Sequence, residues 1–161
     1  MDFQLREYRR EDFERLWAID QACFPAGISY SRFELMAYIK RSQSFTLVGE
    51  RDTPGRATAE IGGFIVAEVE RNQIGHVITI DVVGAARGTG LGSRLLTAAE
   101  ERLGERACRM VYLEAAVDNR AAVSFYKKHG YFVLKTIPRY YSNGVDAFVL
   151  KKDLLPKRAD G

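Results

Sequence analysis

The sequence predicts one mixed α/β domain, and three observations carry that expectation. Short segments with period-two alternation, such as Phe3 to Tyr8 and Gly75 to Val83, are interleaved with segments of helical period, such as Ser93 to Leu103. A glycine-rich stretch, Arg87 to Gly92, joins one strand-like segment to a helix-like one. With 161 residues, 47% of them hydrophobic, the chain can bury one core and shows no composition break that would mark a second domain.

Taken in order, Phe3 to Tyr8 opens as a strand. Glu11 to Cys23 carries Phe13, Leu16, Trp17 and Asp20 at spacings of three and four, which predicts an amphipathic helix. Pro25 and Gly27 break it. Ser31 and Glu34 form a capping box for a second helix bearing Leu35, Met36 and Ile39, so residues 24–31 are an interhelical loop. Phe45 to Glu50, Ile61 to Glu70 and Gly75 to Val83 read as three strands of an antiparallel meander, with a polar turn around Pro54 and Gly55. Ser93 to Leu103 sets Leu95, Leu96, Ala99 and Leu103 on one helix face, and Gly104 is expected to end it. Met110 to Ala116 follows as a strand. Asn119 to His129 is a helix with Ala122, Phe125, Tyr126 and His129 in register and Gly130 as its stop; Phe132 to Ile137 and Val145 to Lys151 are the last strands. Residues 1–155 are thus read as one domain and 156–161 as a polar, frayed tail.

Composition removes several classes of function. No apolar run approaches the ~18 residues of a membrane span, and MDFQLREYRR lacks the apolar stretch of a secretory signal, so a cytoplasmic location is expected. Cys23 and Cys108 show no metal-ligand spacing; both are read as buried thiols, and no metal site is expected. The 24 basic and 21 acidic residues are interleaved, which argues against a nucleic-acid or membrane partner.

A strand running through glycines into a helix leaves backbone N–H groups at a helix N-terminus, where the dipole also favours an anion. Glycines 88, 90 and 92 let the backbone approach a phosphate, and Arg87 can offset its charge. The same residues also fit an ordinary strand-to-helix turn. A P-loop needs Gly-Lys followed by Ser or Thr, and none occurs. A dinucleotide fingerprint fails on glycine spacing, and about half the chain precedes the loop, although Glu114 stands near where its acid belongs.

The remaining pattern is Arg-x-x-Gly-x-Gly. Together with GHVITIDVVGAARGTGLGSRLL, VYLEAAVDNRAAVSFYKKHGYFVL and RYYSNGVDAFVLKKDL, it resembles the GNAT superfamily of N-acetyltransferases, within it the RimI-like protein N-terminal acetyltransferases, in block order and spacing over nearly the whole chain. That resemblance implies a GNAT fold: a mixed, curved sheet of about seven strands with about four helices. Acetyl-CoA, as co-substrate, would lie in the splay between the fourth and fifth strands. It implies that the N–H groups of Gly88, Thr89, Gly90, Leu91, Gly92 and Ser93 hold the pyrophosphate beside Arg87. Ile80 and Val82 would pair with the pantetheine and acetyl group, and Asn119 would also touch the cofactor.

Acetyl transfer needs a neutral amine, oxyanion stabilisation and a proton for the departing thiolate. The resemblance makes Glu114 the base and Tyr126 the acid, with His76 a further possible catalytic group. Strand alternation also fits an outward Glu114, helical register a core Tyr126, and strand context a hydrogen-bonded His76. Tyr140 and Tyr141, before the turn at Ser142 to Gly144, would clasp the acceptor peptide; as adjacent strand residues at most one should face the site. Phe24 to Tyr30 is the other wall by analogy. Eukaryotic-type relatives can place an acid soon after the proline, where this chain has Ala26 and Gly27, which shifts the base role toward Glu114. An α-amine near pKa ~8 asks less of a carboxylate than a lysine near ~10.4. The expected acceptor is therefore a protein or peptide N-terminus, for a RimI-like enzyme a ribosomal protein beginning with alanine. A small-molecule amine acetyltransferase and a non-catalytic acyl-CoA binding module are the alternatives.

Overall fold

The computed structural model describes residues 2–154; the expected tail at 156–161 lies outside them. Seven strands form one sheet: β1 (Gln4–Glu7), β2 (Ser44–Arg51), β3 (Glu60–Glu70), β4 (Ile74–Val82), β5 (Met110–Ala116), β6 (Phe132–Ile137) and β7 (Ala147–Asp153). Their order is β1-β2-β3-β4-β5-β7-β6, antiparallel except at β4–β5. Four α-helices complete the expected pattern: α1 (Phe13–Cys23), α2 (Arg32–Lys40), α3 (Leu91–Glu105) and α4 (Arg120–Lys128). No helix among the described residues is long and apolar enough to cross a membrane.

β3 is buried on both faces, and its alternation divides the core. Ile65 and Ala67 pack under α3 with Leu91, Leu95, Leu96, Ala99 and Leu103. Phe64 and Val66 face the other way, against Leu16 and Ile19 of α1 and Leu35 of α2. α2 starts at the expected capping box: Glu34 N–H donates to Ser31 Oγ at 3.1 Å, and Ser31 N–H returns a bond to Glu34 Oε1 at 3.0 Å.

Local expectations need correction at several points. α3 begins at Leu91 rather than Ser93, and it runs through Gly104, because Ala107 (φ 65) makes the left-handed exit instead. Cys108 is buried, but Cys23 is only half-buried, since it ends α1 at the rim of the central cleft.

Candidate active site

β4 and β5 pair over three positions only, Ile74 with Met110, Gly75 with Val111 and His76 with Tyr112. Just beyond, the β3–β4 register skips Ile78: Val66 pairs with Thr79 and Ala67 with Val77. Such a bulge bends its strand. β5 meanwhile keeps β7 as partner through Ala116. The two strands part, and a cleft of about 810 Å³ opens between them.

His76 sits at the apex of this V. Its ring stacks on Tyr112 of the paired position, with centroids 4.2 Å apart and planes 7° from parallel. Two residues along β5, Glu114 reaches back, and its Oε2 lies 2.8 Å from His76 Nε2. Glu114 lines the cleft at 16% side-chain exposure, so the outward-facing alternative does not describe it. Glu70 accepts the Tyr112 hydroxyl at 2.5 and 2.7 Å, and Glu68 accepts Arg41 at 2.9 Å. Glu68, Glu70 and His76 are close enough to surround a cation; Arg41 already bonds one oxygen of Glu68, and Tyr112 both oxygens of Glu70.

Tyr126, on α4, is 8% exposed and presents its ring to the cleft wall opposite. Burial, then the nearby Asp81 and Tyr141, hold its phenol protonated well beyond the ordinary tyrosine range. The phenol therefore keeps its proton at any physiological pH.

At the glycine end, Gly88 (φ 81) and Gly90 (φ 86) take left-handed backbone, and Gly90 is the N-cap of α3. A Cβ at either position would meet no protein atom within 4 Å, so within the protein these glycines serve the turn's left-handed conformation. No side chain caps α3 at Gly90, and the N–H groups of Gly92 and Ser93 have no acceptor one turn back. That cradle fits a diphosphate. Gly88, Gly90, Leu91, Gly92 and Ser93 all line the cleft. Thr89 does not: its N–H and hydroxyl both donate to Ala86 O, at 3.3 and 2.5 Å, which turns it away. Ser93 Oγ meets His129 Nε2 at 2.9 Å.

Ile80, Val82, Arg87 and Asn119 also line the cleft. Val82 O already accepts Cys23 Sγ at 3.5 Å and Arg87 Nε at 3.3 Å. Asn119 caps α4, its Oδ1 accepting Ala122 N–H at 3.2 Å.

The acceptor end is closed by two loops. Phe24, Tyr140 and Tyr141 all line it, so the expectation that only one tyrosine would face the site is wrong. The reason is backbone: residues 138–146 are a loop, in which strand alternation does not apply. Gly144 N–H closes a turn on Tyr141 O at 2.9 Å, and the two rings stand edge to face at 4.9 Å. Tyr140 is pushed up to about 12 by burial and by Glu114 and Tyr38. Tyr30 is raised further by burial and by Tyr38, Tyr140 and Glu114, and its ring stands edge to face with Tyr38 at 5.3 Å. The loops are locked together where Ser142 N–H donates to Gly27 O at 3.2 Å.

Sequence reading missed two features of this region. Tyr30 contributes a hydroxyl bonded to Ile78 O at 3.3 Å, tying the acceptor loop to the bulge of β4. Asp20 and Asp81 are fully buried behind that tie; an acid on the apolar stripe of α1 was the available signal.

Over residues 7–131 the chain matches the model of the Acetyltransferase (GNAT) family. It is 27% identical to an N-alpha-acetyltransferase of Sulfurisphaera tokodaii across 165 aligned positions, covering 95% of this chain and 94% of the relative. It is 40% identical to the N-alpha-acetyltransferase MAK3 of Arabidopsis thaliana over 83 residues, 52% of this chain and 43% of that one. The crystal structure of Ard1 from Thermoplasma volcanium shares its fold with a TM-score of 0.83 at 24% identity, covering 96% and 99% of the two chains. The family match spans the splayed strands, the glycine turn and the helix after each strand, the elements that build the cleft, and the chain belongs to the acetyltransferase (GNAT) family.

Proposed function

We propose that this enzyme transfers acetyl from acetyl-CoA to the N-terminal α-amine of a protein or peptide. The observation that carries this reading is the acceptor end of the cleft, where Glu114, hydrogen-bonded to His76, lines a pocket walled by Phe24, Tyr30, Tyr140 and Tyr141. A chain end can enter between two loops joined by the Ser142–Gly27 bond, whereas an internal lysine brings chain on both sides of it. Full-length similarity to an N-alpha-acetyltransferase supports the same acceptor class.

The GNAT co-substrate, acetyl-CoA, supplies an activated acyl group when bound; its diphosphate would rest on the N–H groups of Gly92 and Ser93. Glu114, hydrogen-bonded to His76, takes the proton that the amine sheds as its nitrogen bonds to the acyl carbon. Tyr126 supplies a proton to the sulfur as the C–S bond breaks, and its buried phenol is neutral at the working pH. Among acceptors we include a ribosomal protein beginning with alanine, because the crowded tyrosine wall favours a small first residue.

Mass spectrometry of a peptide with a free N-terminal alanine and one internal lysine tests the reading. Acetate on the α-amine is expected. Acetate mainly on the lysine, or turnover of spermidine with neither peptide amine modified, would overturn it.

A further inference from the structure

Asp20, in the last turn of α1, and Asp81, near the end of β4, are 0% and 1% exposed and take no part in the chemistry above. Their carboxyl groups lie in hydrogen-bond contact. The outer oxygens have donors: Tyr30 N–H to Asp20 Oδ2 at 2.8 Å, and Thr79 Oγ1 to Asp81 Oδ1 at 2.5 Å. The inner oxygens, Asp20 Oδ1 and Asp81 Oδ2, are buried and receive no bond from any other group. Two touching carboxylates cannot both stay ionised in a buried site without a cation. A single proton between the inner oxygens satisfies both.

The pair joins the two halves of the site. α1 grips the Tyr30 peptide at both ends, with Asp20 on its N–H and Trp17 Nε1 and Gln21 Nε2 on its carbonyl at 3.2 and 2.7 Å. Asp81 stands on β4 between Ile80 and Val82, which line the cleft. We propose that Asp20 and Asp81 share one proton, and that this tie is a positioning device holding the acceptor loop, residues 24–31, against the cofactor strand. The loop's role as an acceptor wall rests on the function proposed above.

Burial, then Asp20, raise Asp81 well above the ordinary carboxylate range. The titratable groups facing the pair are Cys23 and Tyr30 from α1 and its loop and Tyr126 from α4; burial raises each of them, and Arg87 sits against Cys23. All three stay neutral while the shared proton is lost. The sign follows from the raised folded value: the proton's contribution is present at low pH and fades as pH rises through the value in the folded protein. Once the proton leaves, two like charges push α1 from β4, and Tyr30 is released.

The test compares wild type with Asp81→Asn, whose amide donates to Asp20 Oδ1 at every pH. Urea denaturation from pH 4.5 to 9 should show the wild-type folding constant, relative to the variant, falling about tenfold per pH unit until the shared proton is lost. A constant ratio overturns the shared proton. Tyr30 amide protection, read by hydrogen exchange, should drop with that proton in wild type and stay level in Asp81→Asn; equal profiles overturn the positioning role. With a peptide acceptor, the wild-type-to-variant ratio of acceptor KM should climb over the same pH range while the ratio of acetyl-CoA Kd does not. The amine's own titration cancels in that ratio. Asp20→Asn serves in the same comparisons if Asp81→Asn fails to fold. Should no peptide be acetylated, the functional reading falls, and the denaturation and exchange results still decide the tie.

Discussion

His76 and Glu114 stand 38 residues apart in sequence, yet Nε2 and Oε2 are 2.8 Å apart, because β4 and β5 pair only as far as His76 before they splay. The apex of the V thus bonds a carboxylate that lines the cleft to an imidazole that does not, as a single hydrogen-bonded unit. That unit is the most direct target for kinetics.

Glu114→Gln should lower kcat by ~100- to 10,000-fold, with acetyl-CoA affinity near that of wild type, because the carboxylate faces the acceptor mouth rather than the glycine turn. His76→Asn should be slower as well. The double variant should lose far less than the product of the two single losses, since the groups act together. Multiplicative losses in steady-state kinetics would separate their roles.

Tyr126→Phe should reduce kcat and leave acetyl-CoA binding intact. Because burial keeps this phenol protonated well above the ordinary range, its ionisation should produce no alkaline fall in kcat below about pH 10. The pH profiles of wild type and Tyr126→Phe, run with one peptide, check both points.

Gly90→Val should weaken acetyl-CoA binding through the backbone. An L-residue held at φ 86 costs about 1–2 kcal/mol, although its Cβ would meet no protein atom. The variant should fold with a lowered Tm and show little calorimetric heat with acetyl-CoA. Wild-type affinity in the folded variant would remove the glycine turn from the cofactor site.

Gly27→Ala probes the junction of the two acceptor loops. Its Cβ would lie 2.7 Å from Asn143 Cβ, at a φ of +90 that disfavours any side chain, so the loops must separate. Acceptor KM should rise by about tenfold, while Kd for acetyl-CoA, measured by calorimetry, stays unchanged.

Much of this molecule is decided by local rules. Apolar period sets α1 and α3, the Ser31–Glu34 box starts α2, and alternation marks β4, where Val77, Thr79 and Asp81 are buried. The glycines at 88 and 90 mark a strand-to-helix turn, and the structure makes that turn with left-handed backbone at both. These features depend on neighbours within a few residues, so the chain carries them openly. Contacts between distant segments are another matter. The skipped register at Ile78 that opens the cleft, the meeting of His76 with Glu114, and the docking of residue 27 on residue 143 each need two or three elements in place. Tyr140 and Tyr141 could be judged only once their segment proved to be a loop, free of strand alternation. Asp20 reads as one polar residue on a helix stripe; the proton we propose it shares depends on the fold that buries Asp81 beside it. Charge in a dry site depends on what the whole fold brings beside it, and no local pattern encodes that.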